Sequence, residues 1–264
     1  MKDEYVMGID NGGTVTKAAI YDHNGSVVSI ASKSTQMLTP REFHTERDIT
    51  ELWAANIEVI KKAIEQSGID ASQIKGIAVT GHGNGLYLVD EAGNPVRNGI
   101  ISTDSRAKEY VEKWQNSPEF LTDILPKTMQ SIWAGQPIAL LAWLKDNEPE
   151  VLQKAHTIFM VKDLIRFYLT GEAYLELTDL SGTNLINVRD RKYDDELLAW
   201  WGLADLRAKL PPVKLSTDCC GRITDEVARQ TGLYAGTPVS GGVFDISASS
   251  VASGINTLDK LAII

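Results

Sequence analysis

The sequence predicts an α/β fold, because short apolar runs typical of strands alternate with longer segments of helical spacing from end to end. Neither an internal repeat nor a low-complexity segment interrupts this alternation. With 264 residues, of which 43% are hydrophobic and 23% are charged, the chain has an ordinary globular composition and can bury a sizeable core.

The N-terminal elements are three strands followed by a helix. Apolar runs at residues 5–9, 17–21 and 26–30 are separated by turn residues, which predicts a strand, a returning strand and a third strand. Apolar residues then recur on one helical face from Leu52 until Gly68 ends the pattern, and the preceding Asp48-Ile-Thr-Glu has capping-box spacing. We expect this helix to cover the first sheet.

The remainder of the chain continues the alternation. Further strands are predicted over residues 75–80, 86–89, 99–101, 157–161 and 237–242. Further helices are predicted over residues 137–145, 162–170, 193–201, 225–230 and 246–253.

The hairpin between the first two strands carries the most informative chemistry. Asp10 is a carboxylate at the end of a buried strand. Gly12 and Gly13 lack a Cβ where a tight turn would bring backbone N–H groups close to phosphate oxygens, and Thr14 adds a hydroxyl donor. Lys17 supplies a positive charge. The pattern predicts a pocket for phosphate and metal, and the alternative is a plain hairpin turn.

The same hairpin argues against two common nucleotide sites. A dinucleotide-binding fingerprint needs G-x-G-x-x-G between a strand and a helix, whereas a second strand follows here. A Walker A loop does not occur in the sequence either.

Three polar centres follow apolar strands: Asp10 with its glycine loop, residues 81–85 with Asp104, and residues 241–242 with Asp245. Ligands of open α/β sheets collect at the carboxyl ends of strands, so we expect the three to converge. Phosphoryl transfer to a hydroxyl needs a metal, donors along the phosphates and a carboxylate base. Asp245 would lie at a helix N-terminus, where the dipole stabilises its ionised form.

Plainer alternatives stand beside each of these assignments. On capping frequencies alone, an ordinary N-cap is the commoner role for Asp245. His82 and Asn84, taken singly, fit loop residues that satisfy backbone donors. Asp104 and Arg106 fit a surface ion pair worth about 0–1 kcal/mol.

Composition excludes several classes of partner. The net charge of −9 and the lack of a Lys/Arg run make nucleic acid an unsuitable partner. No secretory h-region and no apolar stretch long enough to span a bilayer occur, so we expect no membrane partner and a cytoplasmic location. The two cysteines, Cys219 and Cys220, are adjacent, which disfavours a disulfide between them and leaves no CxxC spacing, so we interpret them as free thiols.

Several motifs, in order and spacing, resemble those of one family. They are DNGGTVTK, ERD followed by LW, GHGNGLYLVDEAGNPVRNGIISTDSRA, GQPIALLAWLKDNEPE, KDLIRFYLTGE, TDLSGTNL and GGVFDISASSVASG. Together they resemble the N-terminal lobe of an FGGY-family carbohydrate kinase, a branch of the actin, hexokinase and Hsp70 ATPase superfamily, over essentially all 264 residues. The resemblance implies a ribonuclease H-like lobe with a mixed central sheet flanked by helices, and ATP and Mg²⁺ as cofactors.

The resemblance also implies residue roles. Asp10 would hold Mg²⁺ and Asp245 would be the general base on the sugar hydroxyl. The residues that would face the transferring phosphate are Gly12, Gly13, Thr14 and Lys17. Those that would contact the sugar, besides Asp245, are His82, Gly83, Asn84, Asp104 and Trp133, the last as a wall of the pocket.

The substrate class follows from departures within the family. Where this chain has Gly83-Asn84, the glycerol kinases that it resembles carry Arg-Glu. The D-xylulose kinases carry Met-His at these positions. Leu140 stands where the common family signature has Lys. L-xylulose kinases share this Gly and Leu but carry Lys at position 84, so the resemblance implies a pentulose substrate, best matched by L-xylulose, with a glycerol- or erythritol-type polyol as the alternative. Partners would be this sugar or polyol, ATP and, as a further candidate, a second copy of the chain.

The resemblance further implies two domains. Residues 1–254 would form the sugar-binding lobe, and residues 255–264, which end in an apolar run typical of a new strand, would begin a C-terminal nucleotide-binding lobe. We therefore expect the chain to be one lobe of a longer protein and to turn over little alone, because lobe closure completes such sites.

Rival functions are a ROK-type sugar kinase and a non-catalytic actin-like or sugar-sensing ATPase lobe. The former would need a Cys-rich zinc motif, which Cys219-Cys220 does not supply. The retained Asp10 and Asp245 argue against the latter.

Overall fold

A computed structural model describes residues 4–255, 257 and 259–260. The strand predicted at the end of the chain falls on residues 261–264, which lie outside the described residues together with 1–3, 256 and 258. The expected start of a second lobe at residues 255–264 therefore stays a prediction.

The strands, in chain order, are β1 Tyr5–Asn11, β2 Val15–Tyr21, β3 Val27–Ser34, β4 Glu46–Arg47, β5 Ile74–Gly81, β6 Tyr87–Val89, β7 Gly99–Ile100, β8 Thr157–Phe159, β9 Leu175–Glu176, β10 Ile186–Asn187, β11 Lys192–Tyr193, β12 Val213–Lys214, β13 Cys219–Arg222, β14 Pro238–Ser240 and β15 Val243–Phe244.

The α-helices are α1 Ile49–Ser67, α2 Lys108–Gln115, α3 Leu125–Thr128, α4 Pro137–Asn147, α5 Pro149–Lys154, α6 Val161–Thr170, α7 Leu177–Leu180, α8 Asp195–Trp200, α9 Asp225–Thr231 and α10 Asp245–Ala252. Two 3₁₀ turns, Ala71–Gln73 and Ala204–Lys209, and a π-helical turn, Phe120–Ile124, complete the described elements.

A seven-stranded mixed sheet organises the fold. Its order is β13-β14-β5-β1-β2-β3, and β15 also pairs with β5. The β1–β2, β2–β3 and β13–β14 pairs are antiparallel, whereas β5 is parallel to β1, β14 and β15. The α/β class and the mixed sheet flanked by helices are thus confirmed.

The two faces of β1 have different surroundings. Asn11 exchanges side-chain hydrogen bonds with Asn56 of α1, and Met7 and Ile9 are buried, so the odd-numbered residues face α1. Because side chains alternate along a strand, Gly8 and Asp10 face the opposite side of the sheet. Asp10 therefore projects from the face that α1 does not cover.

Helix α1 begins and ends as the sequence predicts. The Asp48 carboxylate accepts hydrogen bonds from the N–H groups of Thr50 and Glu51, and Gly68 ends the helix in a left-handed conformation with φ 65°. The reciprocal half of a capping box is replaced by another contact, since the Glu51 carboxylate accepts the N–H of Gln36 instead.

Two predicted elements begin or end elsewhere because neighbouring contacts compete. The helix predicted over residues 193–201 begins at Asp195, since Tyr193 pairs with Ile186 in the β10–β11 hairpin and Asp194 caps the helix. The strand predicted over residues 157–161 ends at Phe159, because Val161 is already the first residue of α6.

One expectation about the sheet is wrong. Strand β7, which precedes Asp104, pairs with β4 in a separate two-stranded sheet. Asp104 therefore does not follow a strand of the main sheet. The rule that ligands collect at the carboxyl ends of the strands of one sheet does not apply to it.

Candidate functional site

Four neighbouring strands, β1, β2, β5 and β15, bring Asp10 and Lys17 to one level of the main sheet with the segment that leads to Asp245. Asp10 of β1 lies opposite Lys17 of β2 and opposite Thr80 of β5, and Thr80 lies opposite Val243 of β15. These four residues and Ala248 of α10 line a cavity of about 300 Å³. The remaining lining is mainly apolar, so the polar groups are concentrated where the strands end.

The Gly12-Gly13 turn presents backbone N–H groups to the outside. The guanidinium of Arg47 donates hydrogen bonds to the carbonyls of Gly12, at 3.0 Å, and Gly13. In a trans peptide the N–H points opposite to the C=O, so the N–H groups of Gly13 and Thr14 point away from Arg47. In the described part of the chain neither N–H has a hydrogen-bond acceptor. The turn can therefore receive an anion, as the sequence predicts.

Arg47 is a site residue that sequence reasoning missed. Its side chain is fully buried, and within the described residues its Nε and Nη1 atoms have no hydrogen-bond partner. A buried and incompletely satisfied cation is costly to a fold, which makes Arg47 a candidate functional position. The only available signal was its place in the ERD motif, which does not reveal that its partners are two carbonyls of the distant hairpin.

Asp10 and Lys17 form an ion pair of 3.3 Å between Oδ2 and Nζ. Their side chains are 35% and 46% exposed, so the pair contributes at most about 1 kcal/mol and is easily rearranged. Lys17 is thus available to another anion.

Asp245 is the first residue of α10, and Phe244 occupies the N-cap position, so the N-cap alternative for Asp245 does not hold. Burial and the negative charge of Asp10 raise the pKa of Asp245, against a lowering by the hydrogen bond from the Ile246 N–H. The Ile246 N–H at the helix N-terminus thus stabilises the ionised form, as the sequence predicts, but burial is the larger effect. A raised pKa makes this carboxylate a stronger base.

His82 is buried with both ring nitrogens near oxygen atoms. Its Nε2 lies 2.9 Å from the Tyr87 hydroxyl and its Nδ1 lies 3.3 Å from the carbonyl of Gly83. Burial, and then the positive charge of Arg47, lower the pKa of His82 to about 4. The imidazole is therefore neutral at physiological pH.

Gly83 is adjacent to the Asp245 segment. A Cβ at Gly83 would lie 2.0 Å from Cε2 of the Phe244 ring, so only glycine fits there. The loop that carries His82 and Asn84 thus packs directly against the residue that precedes Asp245.

Asn84 has a left-handed backbone with φ 59°. Its N–H donates to Oδ1 of Asp179 at 3.3 Å, and among the described residues its own buried Oδ1 has no donor. Burial raises the pKa of Asp179 to about 7, against a lowering by Lys162. The amide of Asn84 is a candidate acceptor for a hydroxyl, on the condition that the loop opens.

Asp104 lies in a different environment. Its side chain has no exposed surface, and its oxygens accept hydrogen bonds from Arg106 and from the N–H of Thr45. The pair with Arg106 is buried, so the alternative of a surface ion pair does not hold. This placement does not favour direct contact with a sugar, and the assignment stays a prediction.

Trp133 is 43% exposed, and its backbone N–H donates to Oε1 of Gln136. Its loop reaches the His82 loop, because the carbonyl of Gly135 accepts the N–H of Gly85. The structure thus connects Trp133 to the predicted sugar loop.

Two further findings concern the described residues as a whole. In the part of the chain that the structure describes, no three or more His, Cys, Asp or Glu side chains are arranged to hold a metal ion, and both cysteines are free. No described helix combines the length and the apolar character needed to cross a membrane.

Residues 5–252 match the family described as "FGGY family of carbohydrate kinases, N-terminal domain". The chain belongs to this family. The family membership expected from the sequence motifs is confirmed, and the ROK-type alternative is set aside.

Relatives and solved structures agree with this membership. The chain is 38% identical over 260 residues to a "Probable L-xylulose kinase" of Haemophilus influenzae, covering 98% of this chain and 53% of that protein. It is 39% identical over 254 residues to the "L-xylulose/3-keto-L-gulonate kinase" of Escherichia coli, covering 96% of this chain and 50% of that protein. The chain thus spans about half the length of the curated relatives it matches.

A crystal structure of xylulose kinase from Rhodospirillum rubrum superposes with a TM-score of 0.89 at 27% identity, covering 96% of this chain and 51% of that chain. Plasmodium falciparum glycerol kinase with ADP superposes with a TM-score of 0.86 at 20% identity, covering 96% and 51%, which supports the fold alone.

The charge of Arg47 gives a test of this geometry. In Arg47→Met the pKa of His82 is expected to rise from about 4, because the variant removes the positive charge that lowers it. In Arg47→Lys, which keeps the charge, it should rise less. An NMR titration of the His82 ring measures both. Identical His82 titrations in wild type and Arg47→Met would contradict the placement of Arg47.

The sign of the accompanying stability change follows from linkage. The unfolded chain protonates His82 near its ordinary pKa of 6.5, above the folded value of about 4, so wild-type stability falls as the pH decreases through this window.

Proposed function

We propose that the protein is an ATP-dependent carbohydrate kinase that transfers the γ-phosphate of ATP to a hydroxyl of a pentulose, best matched by L-xylulose. Residues 1–254 would be its sugar-binding lobe, and residues 255–264 would begin a nucleotide-binding lobe. The observation that carries the proposal is that Asp10 of β1 and Asp245, which directly follows β15, flank the same strand, β5, beside a turn whose N–H groups point outward.

Asp245 is the proposed general base. It would accept the proton of the sugar hydroxyl as that oxygen attacks the γ-phosphorus and the bond to the leaving ADP oxygen breaks. Burial and Asp10 raise the pKa of Asp245, which strengthens it as a base. Its position at the start of α10 keeps the carboxylate at the end of β15.

The phosphate side is formed by the hairpin. The N–H groups of Gly13 and Thr14 would donate to phosphate oxygens, with Gly12 allowing the close approach, and Lys17 would turn from Asp10 to the phosphate. These contacts orient the phosphoryl group toward the sugar hydroxyl.

The donor set fits magnesium. Mg²⁺ is usually held by one or two carboxylates together with substrate phosphates and waters, and Asp10, with Asp245 nearby, is such a set. When bound, the ion supplies positive charge that neutralises the phosphate oxygens. Asp10 is the residue proposed to hold it.

The sugar side is proposed to comprise the 82–84 loop and Trp133. Asn84 offers an amide acceptor and Trp133 an exposed aromatic wall. His82 and Gly83 shape the loop through the Tyr87 hydroxyl and the Phe244 ring. Asp104 stays a proposed sugar residue, and its carboxylate pairs with Arg106 in this structure.

A polyol kinase is the second candidate. It is supported by 32% identity over 251 residues to a glycerol kinase of Thermococcus onnurineus, covering 94% of this chain and 49% of that protein. The names of the relatives at 38–39% identity favour the pentulose.

A thermal-shift panel with L-xylulose, 3-keto-L-gulonate, D-xylulose, glycerol and erythritol tests the substrate class on this chain. A ligand that binds only the folded chain raises the free energy of unfolding by about 2.7 kcal/mol at 100 times its Kd. The sugar with the lowest Kd, which we expect to be L-xylulose, should therefore give the largest rise in melting temperature. A rise with glycerol or erythritol alone would replace the pentulose proposal by the polyol kinase.

Asp245→Asn tests the base in the complete gene product. The variant should lower kcat of sugar-dependent ATP consumption by about 10²- to 10⁴-fold with little change in the KM of ATP, because it removes proton acceptance and keeps the shape. In wild type kcat should rise with pH through the pKa of Asp245, and the variant should lose that limb.

The matched control is Asp225→Asn, since Asp225 is the first residue of α9 as Asp245 is of α10. This control should retain wild-type kcat. An active Asp245→Asn enzyme would show that the base is another group.

A further inference from the structure

A cluster of buried charged residues contacts the segment that leads to the proposed base, Asp245. It comprises Lys162, Asp163 and Arg166 of α6, Glu176 of β9 and Asp179 of α7, and none of these side chains has exposed surface. Removing charges from water costs several kcal/mol per ion, so such a cluster is weak support for stability and calls for another role.

The ion pairs inside the cluster are close. Nζ of Lys162 lies 2.9 Å from Oδ1 of Asp163 and 3.2 Å from Oε2 of Glu176. Nη1 of Arg166 lies 2.6 Å from Oδ1 of Asp163. These contacts fix the side chains of α6 relative to β9, so the cluster is a rigid support for whatever it contacts.

Two hydrogen bonds connect this support to the segment before Asp245. Nη1 of Arg166 donates to the carbonyl of Gly241 at 2.8 Å. The hydroxyl of Thr178 accepts the N–H of Phe244 at 2.9 Å. The first contact lies four residues before Asp245 and the second directly before it, so both ends of the segment are held.

The direction of the Thr178 hydroxyl is determined. The backbone N–H of Phe244 can only donate, so the hydroxyl oxygen of Thr178 is the acceptor of that bond at 2.9 Å. The hydroxyl's single proton is therefore directed to Oε2 of Glu176 at 2.7 Å. Thr178 thus transmits the fixed position of Glu176 to the backbone of the 241–245 segment.

The segment itself has no room to shift toward the sheet. A Cβ at Gly242 would lie 2.1 Å from the carbonyl oxygen of Val79, and one at Gly241 would lie 2.3 Å from that of Leu215. Gly242 also has φ 77°, which favours glycine. These close backbone contacts and the hydrogen bonds with Arg166 and Thr178 together constrain the position of Asp245.

We propose that Thr178 and Arg166 are positioning residues that hold Asp245 at the reacting hydroxyl, an inference that rests on the proposed role of Asp245 as the base. Misplacing a catalytic group by about 1 Å can lower a rate about 10²-fold. Neither residue touches the substrate in this proposal; both act through the backbone of the 241–245 segment.

Thr178→Val removes the hydroxyl while it keeps the shape of the side chain, and Thr178→Ser keeps the hydroxyl. In Thr178→Val the amide hydrogen of Phe244 should exchange at least about tenfold faster, measured on this chain by NMR, because its acceptor is lost. In the complete gene product kcat should fall about 10²-fold with KM for ATP within about twofold. Thr178→Ser should resemble wild type in both measurements.

Ser216→Ala is the matched control. The Ser216 hydroxyl donates to Oε1 of the same Glu176 at 2.7 Å but has no bond to Phe244. This variant should leave both the Phe244 exchange and kcat unchanged. If Thr178→Val does not fold, Thr178→Ala removes the same hydroxyl and gives the same comparison.

Unchanged Phe244 exchange in Thr178→Val would overturn the inference, and so would faster exchange with wild-type kcat. A wild-type gene product without sugar-dependent ATP consumption would overturn the proposed function, and the catalytic inference with it. An active wild type with a fully active Thr178→Val variant overturns the positioning inference alone.

Discussion

Parallel pairing of β5 is the constraint on which the site depends. Strand β1 occupies one edge of β5 and β15 the other, and both pair with the same residue, Thr80. Because all three strands run in one direction, their carboxyl ends lie together. Asp10 and Asp245, which are far apart in the sequence, therefore meet at one edge of the sheet. Shifting either strand by one residue would turn its polar side chains to the opposite face.

The charges at this edge of the sheet are those of Asp10, Asp245 and the groups around them. Asp10 raises the pKa of Asp245, and one half-exposed cation, Lys17, pairs with Asp10. The guanidinium of Arg47 binds the carbonyls of Gly12 and Gly13, so the N–H groups of Gly13 and Thr14 point away from Arg47. Two carboxylates beside N–H donors and a half-exposed lysine form an arrangement that suits a phosphate together with a divalent cation.

Much of the fold could be predicted from the sequence because it is encoded locally. The N-terminal hairpin, the Asp48 cap and the Gly68 end of α1 depend on neighbouring residues, and they occur as predicted. Residues whose role depends on distant partners were not identified or were misplaced. Asp104 follows a strand that pairs outside the main sheet, and the contacts of Thr178 with Phe244 connect residues far apart in the chain. Hydrophobic periodicity carries no information about such long-range polar contacts.

If Asp10 and Asp245 form one electrostatic site, removing the charge of Asp10 must change the pKa of Asp245. The most direct test is to measure the pKa of the Asp245 carboxyl by NMR in wild type and in Asp10→Asn. The pKa of Asp245 should be above its ordinary value of 3.8 in wild type and should fall in the variant, because the variant removes a negative charge that raises it. An Asp245 pKa that is the same in both proteins would mean that the two carboxylates do not interact, and the account would be contradicted.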